Sequence, residues 1–572
     1  MYADDIALWH SSTSLRHINT KLQSDVNSIS DWMTQYGLSL STNKSKVVIF
    51  HSRPVSPTGF CIRLQNAPLE VVPSHKYLGV TLDYSLSWSP HVQDILMKCN
   101  KRLNLLRSLT GSNWGADTQI LLLLYRSLVR PHLDYACEIY GSLSPLLSSK
   151  LDTVQGHALR ICTGALPSTA LHALQVECNE PPLHIRRERA AFNYCAYIYT
   201  LSPLHPVRKA IVNCWQYSSN KWPQNKLPFA LRVKPLTDTF LKLQPMHVYP
   251  SPPWSIEHPN IDFSLHSSCP KTALPSAQYQ TALQTIKTTY SNHLTIYTDG
   301  SHDPSTNCSG IGIYVPHYRH EISERVSPIS ICRTELVAIL LALSWLESSP
   351  PLRAVIFSDS LSALTLLNNH TSNILDLPNE VLLKCSNLVM NGCDITLAWV
   401  PAHCGLAGNE KADYLAKQSL RKNITISVPL SVDDIRHVIK HRCLDAWNAL
   451  WRSSKKGRHL FNIQPCASNT FTFESLNRRD EIITHRLRMG RARLATFYHI
   501  IRKHPTGLCS ICNALETVEH YLLHCKQHTN QRTNLMRAIH KQSLNISDLL
   551  ANHKALDAVI AYVKETNKYH SI

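Results

Sequence analysis

Residues 294 to 420 constrain the fold of this chain more than any other stretch, because their apolar periods change in a set order. Three strand-like runs come first, at 294–298, 310–315 and 321–326. A helical run at 335–346 follows, then a strand at 354–357, two more helices, a strand at 394–400 and a last helix at 410–420. Consecutive strands followed by alternating helices and strands predict a mixed sheet with helices packed on its faces.

Four acids mark the ends of these elements. Asp299 follows the first strand and precedes Gly300, and Glu335 opens the apolar helix. Asp359 lies just past the strand at 354–357, and Asp413 sits one turn into the last helix, which starts near Asn409. In an open α/β sheet, side chains at strand ends and helix starts converge on one crevice. Crowded carboxylates repel one another unless cations neutralise them, and hard ions such as Mg²⁺ or Mn²⁺ prefer oxygen ligands. Two such ions about 4 Å apart can clamp the attacking and leaving oxygens of a phosphodiester displacement.

Each acid also has a plainer explanation. Glu335 in a first helical turn complements the macrodipole. Asp359, between Ser358 and Ser360, can cap a helix. Asp413 can pair with Lys417 one turn on, and Asp299 before Gly300 suits a turn.

Sequence context favours the shared site. Thr298-Asp299-Gly300-Ser301, Arg333-Thr334-Glu335-Leu336, Ser358-Asp359-Ser360 and Gly408-Asn409-Glu410-Lys411-Ala412-Asp413 resemble, in order and spacing, the signature blocks of type 1 ribonucleases H. Trp399-Val400-Pro401-Ala402-His403-Cys404-Gly405 resembles the loop that carries the family's active-site histidine. The departure is Ala402, where the family usually has a second glycine, and little harm is expected from it. The resemblance implies a nuclease for the RNA strand of RNA–DNA hybrids that uses two Mg²⁺ (or Mn²⁺) ions. It implies that Asp299 bridges both ions, that Asp413 completes the site activating water, and that Glu335 and Asp359 hold the second ion. His403 would assist departure of the product. The products implied are a 5′-phosphate and a 3′-hydroxyl. By itself His403 would more often be structural in a chain with 31 histidines.

Residues 1–90 alternate short apolar runs with turns. Runs at 6–9, 47–50 and 77–80 read as strands, and residues 15–37 have helical spacing. Tyr2-Ala3-Asp4-Asp5 resembles the paired-aspartate hairpin of reverse transcriptases, and Lys76-Tyr77-Leu78-Gly79-Val80 resembles their primer-grip hairpin. Gly37-Leu38 with Asn43-Lys44-Ser45-Lys46 resembles the segment after the aspartate pair. The helical region at 90–200, including runs at 118–129 and 150–163, resembles the thumb of insect-type (jockey-like) non-LTR retrotransposons. A polymerase needs a third carboxylate from an earlier strand, so polymerase activity is expected to be absent or incomplete in this chain. About a third of the 32 prolines lie between Pro203 and Pro275, which predicts an irregular connector.

The last segment holds Cys509-x2-Cys512-x7-His520-x4-Cys525, a spacing that suits tetrahedral Zn²⁺. His524 and His528 are rival ligands, and reduced cysteines beside a core remain the alternative. Upstream, Arg486, Arg488, Arg491 and Arg493 run with no acid among them and suit an RNA-binding surface, with a solvated helix face nearly as apt.

Charge fits these assignments. Residues 291–420 hold 7 Lys or Arg against 12 Asp or Glu, a net of −5, which leaves +23 elsewhere in a chain of net +18. An acidic module with basic flanks suits a metal-dependent enzyme acting on a polyanion. No secretory signal is visible after Met1, and the longest apolar helical stretch, 336–346, is too short to span a bilayer. Reduced thiols in the nucleus or cytoplasm are expected, with no membrane and no small-molecule substrate.

The expectation is thus a multidomain α/β chain. A partial polymerase palm (1–90), a helical thumb-like region (91–200) and a proline-rich connector (201–290) precede a ribonuclease H-like domain (291–421) with a mixed five-stranded sheet. A basic helical region (422–505) and a zinc-knuckle segment with a terminal helix (506–572) follow. The alternatives are a catalytically inactive or domesticated nucleic-acid-binding remnant, or another nuclease on the same fold. The 408–413 block and His403 argue against the latter.

Overall fold

A computed structural model describes residues 4–51, 59–217, 222–223, 227–243, 258–268, 274–303, 306, 308–348, 350–370, 376–469 and 476–572. The chain forms two compact units. One comprises Phe192–Gln216 and Lys234–Ile439, and the other comprises Met1–Ala191, Tyr217–Val233 and Lys440–Ile572.

The unit containing residues 234–439 is built on a seven-stranded sheet. Its strands are β1 (Asn260–Asp262), β2 (Leu294–Asp303), β3 (Cys308–Val315), β4 (His320–Val326), β5 (Arg353–Ser358), β6 (Asp394–Trp399) and β7 (Ile424–Ile426), in the order β7-β4-β3-β2-β5-β6-β1. β2, β3 and β4 pair antiparallel, and every other neighbour pair is parallel. Five strands are those expected. The two additions, β1 and β7, are three-residue edge strands, too short to show a period of two. β1 comes from the proline-rich connector, which also forms the helix α1 (Pro275–Thr289), begun by Pro275 at its first turn.

Helices cover both faces. Ala354, Val355, Ile356 and Phe357 of β5 are all fully buried, the mark of a central parallel strand. The covering helices include α2 (Ile331–Glu347), α3 (Leu361–Asn368), α4 (Leu377–Met390) and α5 (Ala407–Ser419). Leu336, Ile339, Leu343 and Leu346 of α2 recur at helical spacing and join one core with Val381, Leu382 and Cys385 of α4. α5 lies close on β3 because Gly312 leaves room: a Cβ there would meet the Ala412 carbonyl at 2.0 Å.

The other unit is mainly helical. Leu15–Gln35 forms the expected first helix, capped by Ser14. The N-terminal strands differ from expectation. Residues 6–9 form no strand, only Val47 of the second run lies in one (Lys46–Val47, paired with Glu70–Val71), and Leu78 and Gly79 turn between strands Ser74–Tyr77 and Val80–Asp83. Both turn residues have positive φ, 45° and 81°, which twists a two-residue hairpin the favoured way. The helix at 118–129 forms as Thr118–Leu124 running into a π-helical turn at Tyr125–Val129. The helix predicted at 150–163 starts earlier, at Pro145, because Ser144 caps it.

The C-terminal residues belong to this same unit. The helix Arg478–Arg488 is buried along its whole length. Arg488 ion-pairs with Glu177 at 2.9 Å, and His485 approaches the same carboxylate at 2.8 Å. Burial opposes ionisation of Glu177, but Arg488 and His485 overcome it and hold its pKa below the ordinary value. Arg478 donates to the Cys162 carbonyl at 2.7 Å, and Glu481 accepts from the Thr118 hydroxyl at 2.9 Å.

Candidate functional site: a carboxylate crevice and a separate cysteine–histidine cluster

β2 pairs in parallel with β5 only as far as Thr298 opposite Ser358, while its antiparallel pairing with β3 runs on to Asp303. The sheet therefore opens at Asp299. This residue lies within the strand, opposite Gly312, rather than after it as expected. Asp359 follows the end of β5 directly, so the two carboxylates share one opening.

Glu335 enters from α2. The helix begins at Ile331, four residues earlier than the sequence suggested, so Glu335 lies beyond its first turn and the macrodipole explanation weakens. Gly300 permits this approach, since a Cβ there would meet the Glu335 amide nitrogen at 2.8 Å. Nor does Asp359 cap α3: the hydroxyl of Ser360 does, accepting from the Ala363 amide.

Asp299, Glu335 and Asp359 each offer a carboxylate oxygen, all within 4.8 Å of one another. Asp413 does not join that set. It groups instead with His403 and Glu410, again within 4.8 Å, and it pairs with Lys417 at 2.7 Å. Asp413 is still close enough to raise the pKa values of Asp299 and Asp359. His403 is exposed on its loop with a positive φ of 51°.

The electrostatics are those of crowded, buried carboxylates. Burial, then the charges of Asp359 and Asp413, push Asp299 up to about 8. Burial, then Asp299 and Asp359, hold Glu335 well above its ordinary value. Burial also raises Asp359, against the opposing hydrogen bond from Asn409. Glu335 Oε2 is buried with no hydrogen-bond partner among the described residues. An oxygen so placed beside two like charges fits a divalent ion. An open groove of about 850 Å³ starts at Glu335 and Asp359 and follows α3 past Ser362, Thr365 and Asn369.

Asn409 belongs to the 408–413 block, and nothing in the local sequence marks its role. Its amide donates to Asp359 Oδ2 at 3.1 Å. Glu410, likewise unassigned, accepts from the Gly405 amide of the His403 loop at 3.3 Å.

In the other unit, Cys509, Cys512, His520 and Cys525 bring three sulfurs and a ring nitrogen within 4.8 Å of one another. The Cys525 sulfur is 3.8 Å from that of Cys509 and 3.9 Å from that of Cys512. A tetrahedral ion with bonds of about 2.3 Å would space its sulfurs by roughly 3.8 Å. His520 Nε2 is buried and unpartnered among the described residues. His524 is exposed, and His528 is buried against Tyr521 and Tyr562, so of the three rivals only His520 joins the cluster.

Two of the remaining predicted site residues stand corrected. Arg486 and Arg488 do not form a nucleic-acid surface, being 6% and 1% exposed and bound to carbonyls at Gly164, Leu550 and Ile572 and to Glu177. A run of arginines without acids reads locally as solvated, because the carboxylate partner of Arg488, Glu177, lies 311 residues away in sequence. Arg491 is half-buried and Arg493 is exposed. Asp4 and Asp5 are exposed, while Tyr2 and Ala3 lie outside the described residues.

A mixed sheet opening on a carboxylate crevice defines the class, and residues 291–421 match the RNase H family. The chain carries an RNase H domain. Its homologues include RNA-directed DNA polymerases of jockey-like non-LTR retrotransposons. It is 28% identical over 174 residues to a probable RNA-directed DNA polymerase from transposon BS of Drosophila melanogaster, covering 30% of this chain and 19% of that protein. Over 164 residues it is 26% identical to the RNA-directed DNA polymerase from mobile element jockey of Drosophila funebris, covering 29% and 18%. It is 24% identical over 174 residues to a probable RNA-directed DNA polymerase from transposon X-element of Drosophila melanogaster, covering 30% and 19%. The chain spans about a fifth of the length of the curated relatives it matches. Among the described residues no helix is long and apolar enough to cross a membrane.

Proposed function

We propose that the RNase H domain hydrolyses the RNA strand of RNA–DNA hybrids, within a polyprotein of the non-LTR retrotransposon kind. The observation that carries this is the convergence of Asp299, Glu335 and Asp359 within 4.8 Å beside an open groove. Asp299, Glu335, Asp359 and Asp413 would hold two Mg²⁺ or Mn²⁺ ions. When bound, such ions supply an activated water and neutralise charge on the leaving oxygen, giving a 5′-phosphate and a 3′-hydroxyl. The chain's own work is to hold four carboxylates at fixed spacing, keep Glu335 dry, and place His403 at the rim, where it assists product departure. The groove along α3 offers hydroxyl and amide groups to the backbone of a bound strand.

Cys509, Cys512, His520 and Cys525 would bind one structural Zn²⁺. Residues 1–90 and 91–200 would derive from a polymerase palm and thumb, and no polymerase activity is assigned to this chain. The proposed setting is the nucleus or cytoplasm.

The test is to incubate the purified chain in Mg²⁺ with labelled RNA–DNA hybrid, duplex DNA and duplex RNA. Cleavage confined to the RNA of the hybrid, and lost in E335Q, is expected. No cleavage of the hybrid, or equal cleavage of all three, would overturn the proposal. One observation favours a second reading, an inactive nucleic-acid-binding remnant: Lys417 occupies Asp413 at 2.7 Å. Hybrid binding without cleavage would select it.

A further inference from the structure

We infer that Asp434, outside the residues matched to the RNase H family, is a positioning residue for Glu335; the inference rests on the hydrolysis proposed above. Asp434 lies in the first turn of the helix Val432–Ser453, with a side chain only 4% exposed. Its Oδ1 accepts the backbone N–H of Ser330, the residue before α2, at 3.1 Å. Its Oδ2 accepts the Ser431 amide and hydroxyl, each at 2.9 Å, and lies 2.9 Å from Arg333 Nε. Arg333 donates in turn to the Pro429 carbonyl at 2.9 Å.

One carboxylate thus grips both the residue that precedes α2 and a guanidinium two residues before Glu335. Ser330 offers no capping hydrogen bond from its own side chain. In a capping box an acid three residues into the helix accepts the N-cap amide, and here an acid from a different helix accepts it. The segment that brings Asp434 is itself pinned. β7 pairs with β4, the Ser327 amide donates to Ile426 at 2.9 Å, and the Ser327 hydroxyl bonds both the amide and the carbonyl of Val428.

Glu335 needs this support because a backbone hydrogen bond from Gly300 holds only one side of its carboxylate. Its Oε2 has no hydrogen-bond partner among the described residues, and the side chains it faces, Asp299 and Asp359, are acids too. Its place therefore follows from the backbone of the first turns of α2, which Asp434 fixes.

The experiment uses the full chain and compares wild type with D434N and with R333M/D434L. The double variant matters because D434N leaves Arg333 buried and unpaired, whereas apolar replacement of a buried pair commonly preserves folding. Three quantities are read: kcat and KM on hybrid, Mn²⁺ affinity by electron paramagnetic resonance, and amide exchange across 331–336. Both variants are expected to lose about tenfold in kcat with KM within about twofold, to bind Mn²⁺ about fivefold more weakly, and to exchange faster at 331–336. D434E should recover part of each. Wild-type kcat and Mn²⁺ affinity in the double variant would overturn the inference. So would global unfolding of both variants, which would make Asp434 a general core residue. If the wild-type chain does not cut hybrid at all, the proposed function fails by itself, and Mn²⁺ affinity and exchange still decide the role of Asp434.

Discussion

Asn409 donates its side-chain amide to Asp359 Oδ2 across 3.1 Å, which ties the start of α5 to the end of β5. The same helix carries Asp413 one turn later, so this bond links two acids that come from separate elements. Partners of this kind orient metal ligands, and their loss commonly costs about 10–100-fold in affinity or activity. N409A should therefore reduce hybrid cleavage by roughly that factor, with N409D less able than N409Q to restore it because a carboxylate adds another like charge. Steady-state kinetics at saturating Mg²⁺ check this. Unchanged kcat in N409A would refute it.

The raised carboxyls set a pH dependence with a definite sign. Burial and neighbouring acids push Asp299 up to about 8 and hold Glu335 well above its ordinary value, so the folded state holds protons that the unfolded state has released. Stability without Mg²⁺ should therefore fall as pH rises from about 4 towards 8, by on the order of 1 kcal/mol per pH unit. Added Mg²⁺ should stabilise the unit more at pH 8 than at pH 5, and D299N should flatten the slope. Thermal unfolding with and without Mg²⁺ measures all three.

The cysteine–histidine cluster predicts a metal content. Protein purified without chelator should carry one Zn²⁺ per chain by atomic spectroscopy, and C525S or H520A should lose most of it. A structural zinc contributes on the order of 10 kcal/mol to so small a segment, so its removal should markedly lower the unfolding midpoint. Zinc retained by H520A but lost on replacing His524 would contradict the ligand assignment.

Burial separates the arginines by consequence. R488A leaves Glu177 charged, buried and short of its main partner, and should cost about 3–5 kcal/mol in chemical denaturation. R493A, at an exposed position, should stay within about 0.5 kcal/mol. Equal effects would argue that the two sites do not differ as described.

Where the sequence was readable, the reason was local. α2 announces itself by Leu336, Ile339 and Leu343 at helical spacing, β3 by Ile311, Ile313 and Val315 at a period of two, and β5 by a continuous apolar run at 354–357. The acids were readable because short signature blocks surround them. Other features depend on distant partners. The edge strands β1 and β7 exist only because β6 and β4 offer open ladders. Asp434 caps α2 from a hundred residues downstream, which no local period encodes. Arg488 reads as a surface cation until Glu177 is brought to it.

The bond between Glu481 and Thr118 closes a loop of 363 residues, with the whole of 234–439 threaded between its ends. During vectorial synthesis the RNase H unit can therefore complete its own core while residues 118–177 still wait for the helix that will neutralise Glu177. The early helices must spend that interval with part of their eventual interior exposed, until translation passes residue 488.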